Sequence, residues 1–294
     1  MSALDTAIPS RTAQTPLVDV DFARQHLDDQ GVRFIEVDVD TSAYETGHLP
    51  GAVAFNWTTQ LTDAVKRDLV SRDALQALLR SAGVNDDTLV VLYGDNNNWF
   101  AAWAYWQLRY NGLDNVRLLD GGRKKVEASG LPLTTDSAAQ QAGNIELPGK
   151  PREELRAYRD QVLRAVGQQG KAFVDVRSPE EFRGELAAPA HLPQEAAQRK
   201  GHIPGAANVP WSSAVAEDGT FKPAAELAEL YSGKGVTPEK EIVAYCRIGE
   251  RSSHTWFVLH ELLRYPNVRN YDGSWTEYGS LVGAPIETGQ GSTS

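Results

Sequence analysis

The sequence predicts an α/β protein built from two tandem copies of one domain, each a mostly parallel sheet flanked by helices. Two observations carry this. Four segments recur in the same order about 150 residues apart: "FIEVDVD" (34–40) as "FVDVRSP" (173–179), "GHLPGAVAFNW" (47–57) as "GHIPGAANVPW" (201–211), "LVVLYG" (89–94) as "EIVAYC" (241–246), and "NVRLLDGG" (115–122) as "NVRNYDGS" (267–274). That period is too long for a solenoid repeat and fits a duplicated domain. Within each copy, short β-branched runs alternate with helical patterns, the rhythm of a parallel sheet covered on both sides.

Taken in order, the runs 34–39, 89–93, 173–177 and 242–245 read as strands buried on both faces. "SRDALQALLRSAG" (71–83) reads as a helix capped by Ser71 and ending near Gly83. "FAAWAYWQLRYNG" (100–112) and "RSSHTWFVLHELLRY" (251–265) are the equivalent helices that follow "LVVLYG" and "EIVAYC"; in the second, Trp256, Leu259 and Leu263 share a face. The weakly periodic, Gly- and Pro-containing stretch 134–152 reads as a linker, which divides the chain into residues 1–145 and 146–294. The tail 287–294 is expected to be disordered. The second copy carries 17 extra residues, near 183–200, read either as a tolerated surface insertion or as a functional loop.

Composition narrows the function classes. The 294 residues are 41% hydrophobic, enough for two real cores. A single cysteine rules out an internal disulfide framework and fits a reducing, cytoplasmic location. The start "MSALDTAIPSRTAQTP" shows no apolar secretory core, and no apolar run reaches membrane-spanning length. A net charge of −10 argues against nucleic acid and acidic membrane surfaces as partners. An anionic substrate would therefore need a locally positive site.

The lone cysteine, Cys246, stands at such a place. It ends a predicted strand, where open parallel sheets bind ligands, and a helix is expected about six residues later. The intervening Arg247-Ile248-Gly249-Glu250-Arg251 can turn its N–H groups inward as an anion nest, with Gly249 supplying the positive φ. Nearby arginines and the helix start are expected to lower the thiol pKa and make a nucleophile that needs no histidine base. The alternative is a buried core cysteine, which the coincidence of strand end, two arginines, glycine and following serines disfavours.

The turn "GHIPGA", the strand-end Cys with its six-residue loop, and "YDGSW" together resemble the rhodanese family, in the tandem arrangement of thiosulfate sulfurtransferases; "CRIGERSSH" and "NYDGSWTEYGS" are similar to the actinobacterial branch. The resemblance covers nearly the whole chain. It implies that Cys246 attacks the outer sulfur of thiosulfate, that sulfite leaves and a persulfide forms, and that cyanide or a thiol then takes the sulfur. It implies no metal or organic cofactor, and as partners only a small anionic sulfur donor and a thiophilic acceptor. Backbone amides of Ile248, Gly249, Glu250 and Ser252 are expected to hold the persulfide, and Arg247 and Arg251 to bind the donor's oxygens.

Other residues are read more plainly. Ser252 and Ser253 are expected to cap the helix, Glu250 to point outward or pair with an arginine, and His254 to be an ordinary helix residue. Asp175 can orient an arginine and Arg177 can assist anion binding, though a structural role is favoured for both. His48 and His202 begin equivalent turns, so neither is read as catalytic. In the first copy Gly94 stands where Cys246 stands in the second, and Asp95 where Arg247 stands, so that half is expected to be catalytically silent and to wall the cleft with "DNNNWF" (95–100). Rivals remain: a 3-mercaptopyruvate sulfurtransferase of the same fold, a noncatalytic scaffold, and a protein phosphatase. The last places five residues between Cys and Arg, where this loop has four.

Overall fold

The computed structural model describes residues 15–137, 140–188 and 197–290. The first half runs β1 (Leu17–Val18), α1 (Val20–His26), β2 (Val32–Asp38), α2 (Ser42–Thr46), β3 (Val53–Asn56), β4 (Thr62–Asp63), β5 (Asp68–Leu69), α3 (Arg72–Ser81), β6 (Leu89–Tyr93), α4 (Asp95–Tyr110), β7 (Val116–Leu119) and α5 (Gly122–Ala128). The second runs α6 (Arg159–Ala165), β8 (Lys171–Asp175), α7 (Pro179–Arg183), β9 (Ala207–Asn208), α8 (Ala224–Ser232), β10 (Glu241–Tyr245), α9 (Glu250–Trp256), β11 (Val268–Asn270) and α10 (Ser274–Tyr278). One sheet has the order β1-β7-β6-β2-β3 and the other β11-β10-β8-β9, and every pairing within them is parallel. The repeat read in the sequence is thus a repeat of topology. An isolated parallel bridge, Arg156 to Asn270, takes the place of β1 at the edge of the second sheet.

The duplication extends to side chains. The Tyr93 hydroxyl accepts the Leu49 N–H at 3.2 Å, and the Tyr245 hydroxyl accepts the Ile203 N–H at 3.1 Å. His48 stacks on Tyr44 and His202 on Phe182, each pair with ring centroids 3.6 Å apart. Each histidine's Nδ1 lies on the carbonyl of its stacking partner, Tyr44 or Phe182. These are the turn roles expected of the two histidines.

The helix starts lie close to those the periodicity gives. Ser71 caps α3 as read, its Oγ accepting the Ala74 N–H at 3.2 Å, and Gly83 follows at φ +74°. The helix expected from Phe100 is preceded by a left-handed turn of Asn96, Asn97 and Asn98 (φ 45°, 54° and 64°), which asparagine tolerates better than most side chains, so the right-handed part of α4 starts only after Asn98, close to where the periodicity puts it. The helix after the cysteine begins at Glu250, one residue before the expected 251, and continues into a π-helical turn over Phe257–Leu262. Trp256 and Leu259 are fully buried, whereas Leu263, displaced by that turn, is only partly so.

The expected linker is no slack tether. Its described residues lie along the first half: the Gly143 N–H donates to the Arg80 carbonyl at 2.8 Å, Ile145 and Leu147 are buried, and the Arg72 guanidinium donates to the carbonyls of Leu147, Pro148 and Gly149. The disordered-tail reading also needs correction at its start. Glu287 pairs with His202 as an antiparallel bridge, so the chain is pinned to the "GHIPGA" turn up to that point; residues 291–294 lie outside the described residues.

The halves meet along α4 and α9. Helix α4 is apolar on nearly every face, and such a helix has to be buried on all sides. Residues equivalent by the repeat meet each other. Tyr105 meets Phe257 edge-on at 4.8 Å, Arg109 pairs with Glu261 at 3.2 Å, and Arg251 lies over the Trp99 ring at 5.9 Å. These contacts follow the same order in both helices, so α4 and α9 run parallel about a pseudo-twofold and their starts lie at one end. One continuous apolar core joins Ile35, Trp106, Val174 and Trp256.

A shared core predicts shared cooperativity. Trp106, fully buried with its Nε1 donating to the Leu155 carbonyl at 3.0 Å, sits within it. Trp106→Ala should cost about 3–5 kcal/mol and lower a single urea transition seen alike by near- and far-UV circular dichroism. Two separated transitions, only one of them displaced, would refute a common core.

Candidate active site

Cys246 is the first residue beyond β10, whose last residue, Tyr245, registers with Asp175 at the end of β8. The loop closes on the sulfur: the Gly249 N–H points at Sγ at 3.1 Å, and the Ser252 amide acts on it as well. The "YDGSW" segment anchors the loop from behind. The Cys246 N–H donates to Ser274 Oγ at 3.0 Å, the Trp275 N–H to the Cys246 carbonyl at 3.0 Å, and the Thr276 N–H to the Arg247 carbonyl at 3.0 Å. Gly249 is required twice over. Its φ is +107°, and a Cβ there would lie 2.9 Å from Asp272 Cα.

Ser252 and Ser253 do not cap the helix with their side chains, the role expected of them. Both hydroxyls donate to the Gly249 carbonyl, at 3.0 and 2.8 Å, and both bond the Asn270 side chain at the end of β11. Their hydroxyls hold the loop from beneath, and the amides remain the groups turned to the sulfur.

A row of buried charges leads to the thiol. The Arg251 guanidinium makes a two-pronged contact with Glu181 (Nη1–Oε2 2.9 Å, Nη2–Oε1 3.2 Å), and its Nε is 3.5 Å from Glu250 Oε1. The other Glu250 oxygen, Oε2, lies 3.3 Å from Cys246 Sγ. Glu250 is 1% exposed, so the outward reading fails and the arginine-paired one holds. Burial would raise the Glu181 carboxyl, but the adjacent Arg251 charge overcomes this and holds it below the usual carboxylate range. Glu181 drew no notice as a site residue. "SPEE" signals only a capping box, which it does form, the Ser178 N–H donating to Glu181 Oε2 at 3.0 Å. Nothing local tells that the same carboxylate crosses to Arg251, 70 residues away in sequence.

The expected low thiol pKa is reversed. Burial and the Glu250 carboxylate push Cys246 above the ordinary thiol value, and Arg251 with the Gly249 and Ser252 amides only partly offsets them. The loop thus favours the neutral thiol, with Glu250 Oε2 within hydrogen-bond reach of Sγ.

The remaining expected residues fall into place around this row. Arg247 is 4% exposed, beside the cysteine. Asp175 does orient an arginine, since Arg177 forks onto it with Nε at 3.0 Å and Nη2 at 2.6 Å. Arg177 also donates to the Gly201 carbonyl and lies over the Trp275 ring at 4.6 Å, fully buried in a structural setting. His254 is packed between Trp211 and Phe221 with its pKa pushed down to about 3 by burial, a neutral ring as the plain-residue reading required. Of the insertion, residues 189–196 lie outside the described residues; its end returns to the site, the Arg199 carbonyl accepting Trp275 Nε1 at 3.0 Å.

The equivalent position in the first half is closed. A Cβ on Gly94 would lie 2.3 Å from the Val37 carbonyl oxygen, and the Asp95 N–H donates to Asp38 Oδ1 at 2.6 Å. Burial and the Asp95 charge push Asp38 up to about 9. This half does wall the second site. Trp99 covers Arg251, and a cavity of about 250 Å³ opens between the halves, lined by Trp57, Arg67 and Trp103 on one side and by Ile248 and Asp272 on the other. Arg156 clamps that boundary by binding Asp272 and Asp68 together.

A strand-end cysteine in a closed amide loop, present in the second of two α/β copies, defines a tandem rhodanese fold. The chain belongs to the rhodanese family: the Rhodanese-like domain matches residues 19–129 and again 159–281. Proteins named "Putative thiosulfate sulfurtransferase" from Saccharopolyspora erythraea and from Mycolicibacterium smegmatis are each 56% identical to it over 93% of this chain, and over 96% and 98% of their own. The "Sulfur carrier protein TtuD" of Thermus thermophilus is 53% identical over 93% of this chain and 97% of its own. Among solved structures, YnjE is similar with a TM-score of 0.82 and 27% identity, over 94% of this chain and 68% of that one. An EanB variant in complex with ergothioneine is similar with a TM-score of 0.81 and 25% identity, over 93% and 70%. Among the described residues no helix is long and apolar enough to cross a membrane.

The Glu181–Arg251 pair tests the site's framework. Glu181→Gln leaves a buried guanidinium without its main counter-charge and should cost about 3–5 kcal/mol in urea unfolding. An unchanged midpoint would mean that Arg251 repairs itself on Glu250 at no cost.

Proposed function

We propose that this chain is a thiosulfate sulfurtransferase that carries sulfane sulfur on Cys246. The observation that supports this best is the closure of the loop amides on the sulfur of the chain's one cysteine, with Gly249 N at 3.1 Å. In this reading Cys246 attacks the outer sulfur of thiosulfate, sulfite leaves with the electron pair of the broken S–S bond, and the Cys246 persulfide anion rests on the amides of the loop. Cyanide or a thiol then attacks the outer persulfide sulfur and restores Cys246. Residues 146–294 form the catalytic half. Residues 1–145, with Gly94 at the position of the thiol and closed off there by the Val37 carbonyl, serve as its wall. The name of the Thermus thermophilus relative, a sulfur carrier protein, favours a second reading, in which this chain serves mainly to carry sulfur on Cys246.

Thiosulfate treatment should add one sulfur atom to the peptide containing Cys246, detected by mass spectrometry, and Cys246→Ala should abolish thiocyanate formation while the fold persists. Transfer at the wild-type rate by Cys246→Ala would sink the mechanism.

Donor choice follows from charge. Thiosulfate is a dianion and 3-mercaptopyruvate offers one carboxylate, so a buried cation directly after the cysteine, Arg247, favours thiosulfate. Losing such a contact costs about 1.5–3 kcal/mol. Arg247→Gly should lower kcat/KM for thiosulfate about tenfold to a hundredfold and affect mercaptopyruvate less. Equal losses with both donors would remove Arg247 from donor selection.

A further inference from the structure

Glu250 has no role in the reaction as described above, although it is a buried acid in a loop built for anions, with one oxygen 3.3 Å from the sulfur and the other turned to Arg251. A carboxylate that only balanced Arg251 would not need to touch Sγ, because Glu181 already forks onto that guanidinium. The pair is shielded from water: Cys246 and Glu250 are 0% and 1% exposed. Among the described residues, the other groups near the thiol are poorly placed to take its proton. Ser274 Oγ is 4.0 Å from Sγ and donates its own hydrogen to the Tyr271 carbonyl at 2.7 Å, and His254 is enclosed by aromatic rings. The other charged groups facing the pair are Arg247 beside it on the loop, Glu181 from α7, and Asp272, which is held by Arg156. The first half contributes the Trp99 ring, against Arg251.

We propose that Glu250 is a catalytic residue, the base that takes the Cys246 thiol proton as the sulfur attacks the donor. This rests on the carrier reading of Cys246. The S–H bond breaks and its proton passes to Glu250 Oε2. The freed electron pair forms the new bond to the outer sulfur of thiosulfate, and the donor's S–S bond breaks with its pair leaving on sulfite. The proton on Glu250 then passes to the departing sulfite, so that thiol and thiosulfate yield persulfide anion and hydrogensulfite. The raised thiol pKa fits this arrangement, since the resting thiol keeps its proton until a donor arrives. It also sets the sign of the pH dependence: the base matters below the thiol's titration midpoint and loses its use above it.

The test compares the wild type with Glu250→Gln and Glu250→Asp in two measurements across pH. Iodoacetamide alkylation gives the thiol midpoint, and rapid-quench mass spectrometry gives the rate of persulfide formation from thiosulfate. Glu250→Gln removes a negative charge and should lower the midpoint, yet below both midpoints its persulfide formation should fall about a hundredfold, converging with the wild type above them. Glu250→Asp keeps the charge and shortens the reach, so the midpoint should stay while the low-pH rate still falls. If Glu250→Gln matches or exceeds the wild type below both midpoints, or Glu250→Asp loses nothing, Glu250 acts through charge alone and the proposal is overturned. Absence of sulfur on wild-type Cys246 would overturn the carrier reading itself, and this one with it.

Discussion

The Arg251 guanidinium is the point on which the site depends. It is bound on one side by Glu181 from α7, approached on the other by Glu250 from its own helix, and covered by Trp99 from the first half. Each contact fixes a different part: the position of α7 against α9, the orientation of the carboxylate that touches the thiol, and the seating of the two halves. A buried ion pair of this kind is weak support for stability, because desolvation consumes most of its Coulomb energy, but it strongly penalises any arrangement in which a partner is missing. It therefore works here as a positional lock. Arg177 repeats the device just beyond β8, forking onto Asp175, whose register partner is Tyr245.

Duplication supplies the geometry for this lock. Because α4 and α9 run parallel about a pseudo-twofold, the starts of both helices come to one end, and the residue equivalent to Arg251 is the Trp99 that covers it. The two ends have diverged in chemistry. One has a thiol, two arginines and a loop whose amides point inward. The other has a left-handed asparagine turn and a glycine with no space for a side chain. A chain with a net charge of −10 thereby sets two arginines beside the thiol among buried carboxylates, and the first half contributes aromatic cover.

The thiol pKa shows how competing terms settle. Amides and an arginine favour the thiolate, while full burial and a carboxylate at 3.3 Å oppose it and prevail. Counting charges along the loop gives the wrong sign, because burial of the thiol, and after it the carboxylate in contact with the sulfur, outweigh a cation that two carboxylates already share.

The sequence by itself determined the fold class, the duplication, the place of Cys246 at a strand end and the lack of a thiol at the matching position of the first copy. These follow from hydrophobic periodicity, from direct repetition and from which residue types stand at matching positions, all of which are local properties of the chain. Gly249 was legible for the same reason, since a loop closing on a sulfur needs a positive φ. What only the tertiary structure decided was which charges meet. Glu181 lies 70 residues from Arg251 and reads locally as a helix cap; Asn270 lies on another strand from the serines it binds; Glu250 turns inward because the space beside the sulfur is the one its helix start faces. Electrostatic partners are chosen by distance through space and by the loss of water around them, and neither is written in the order of residues along the chain.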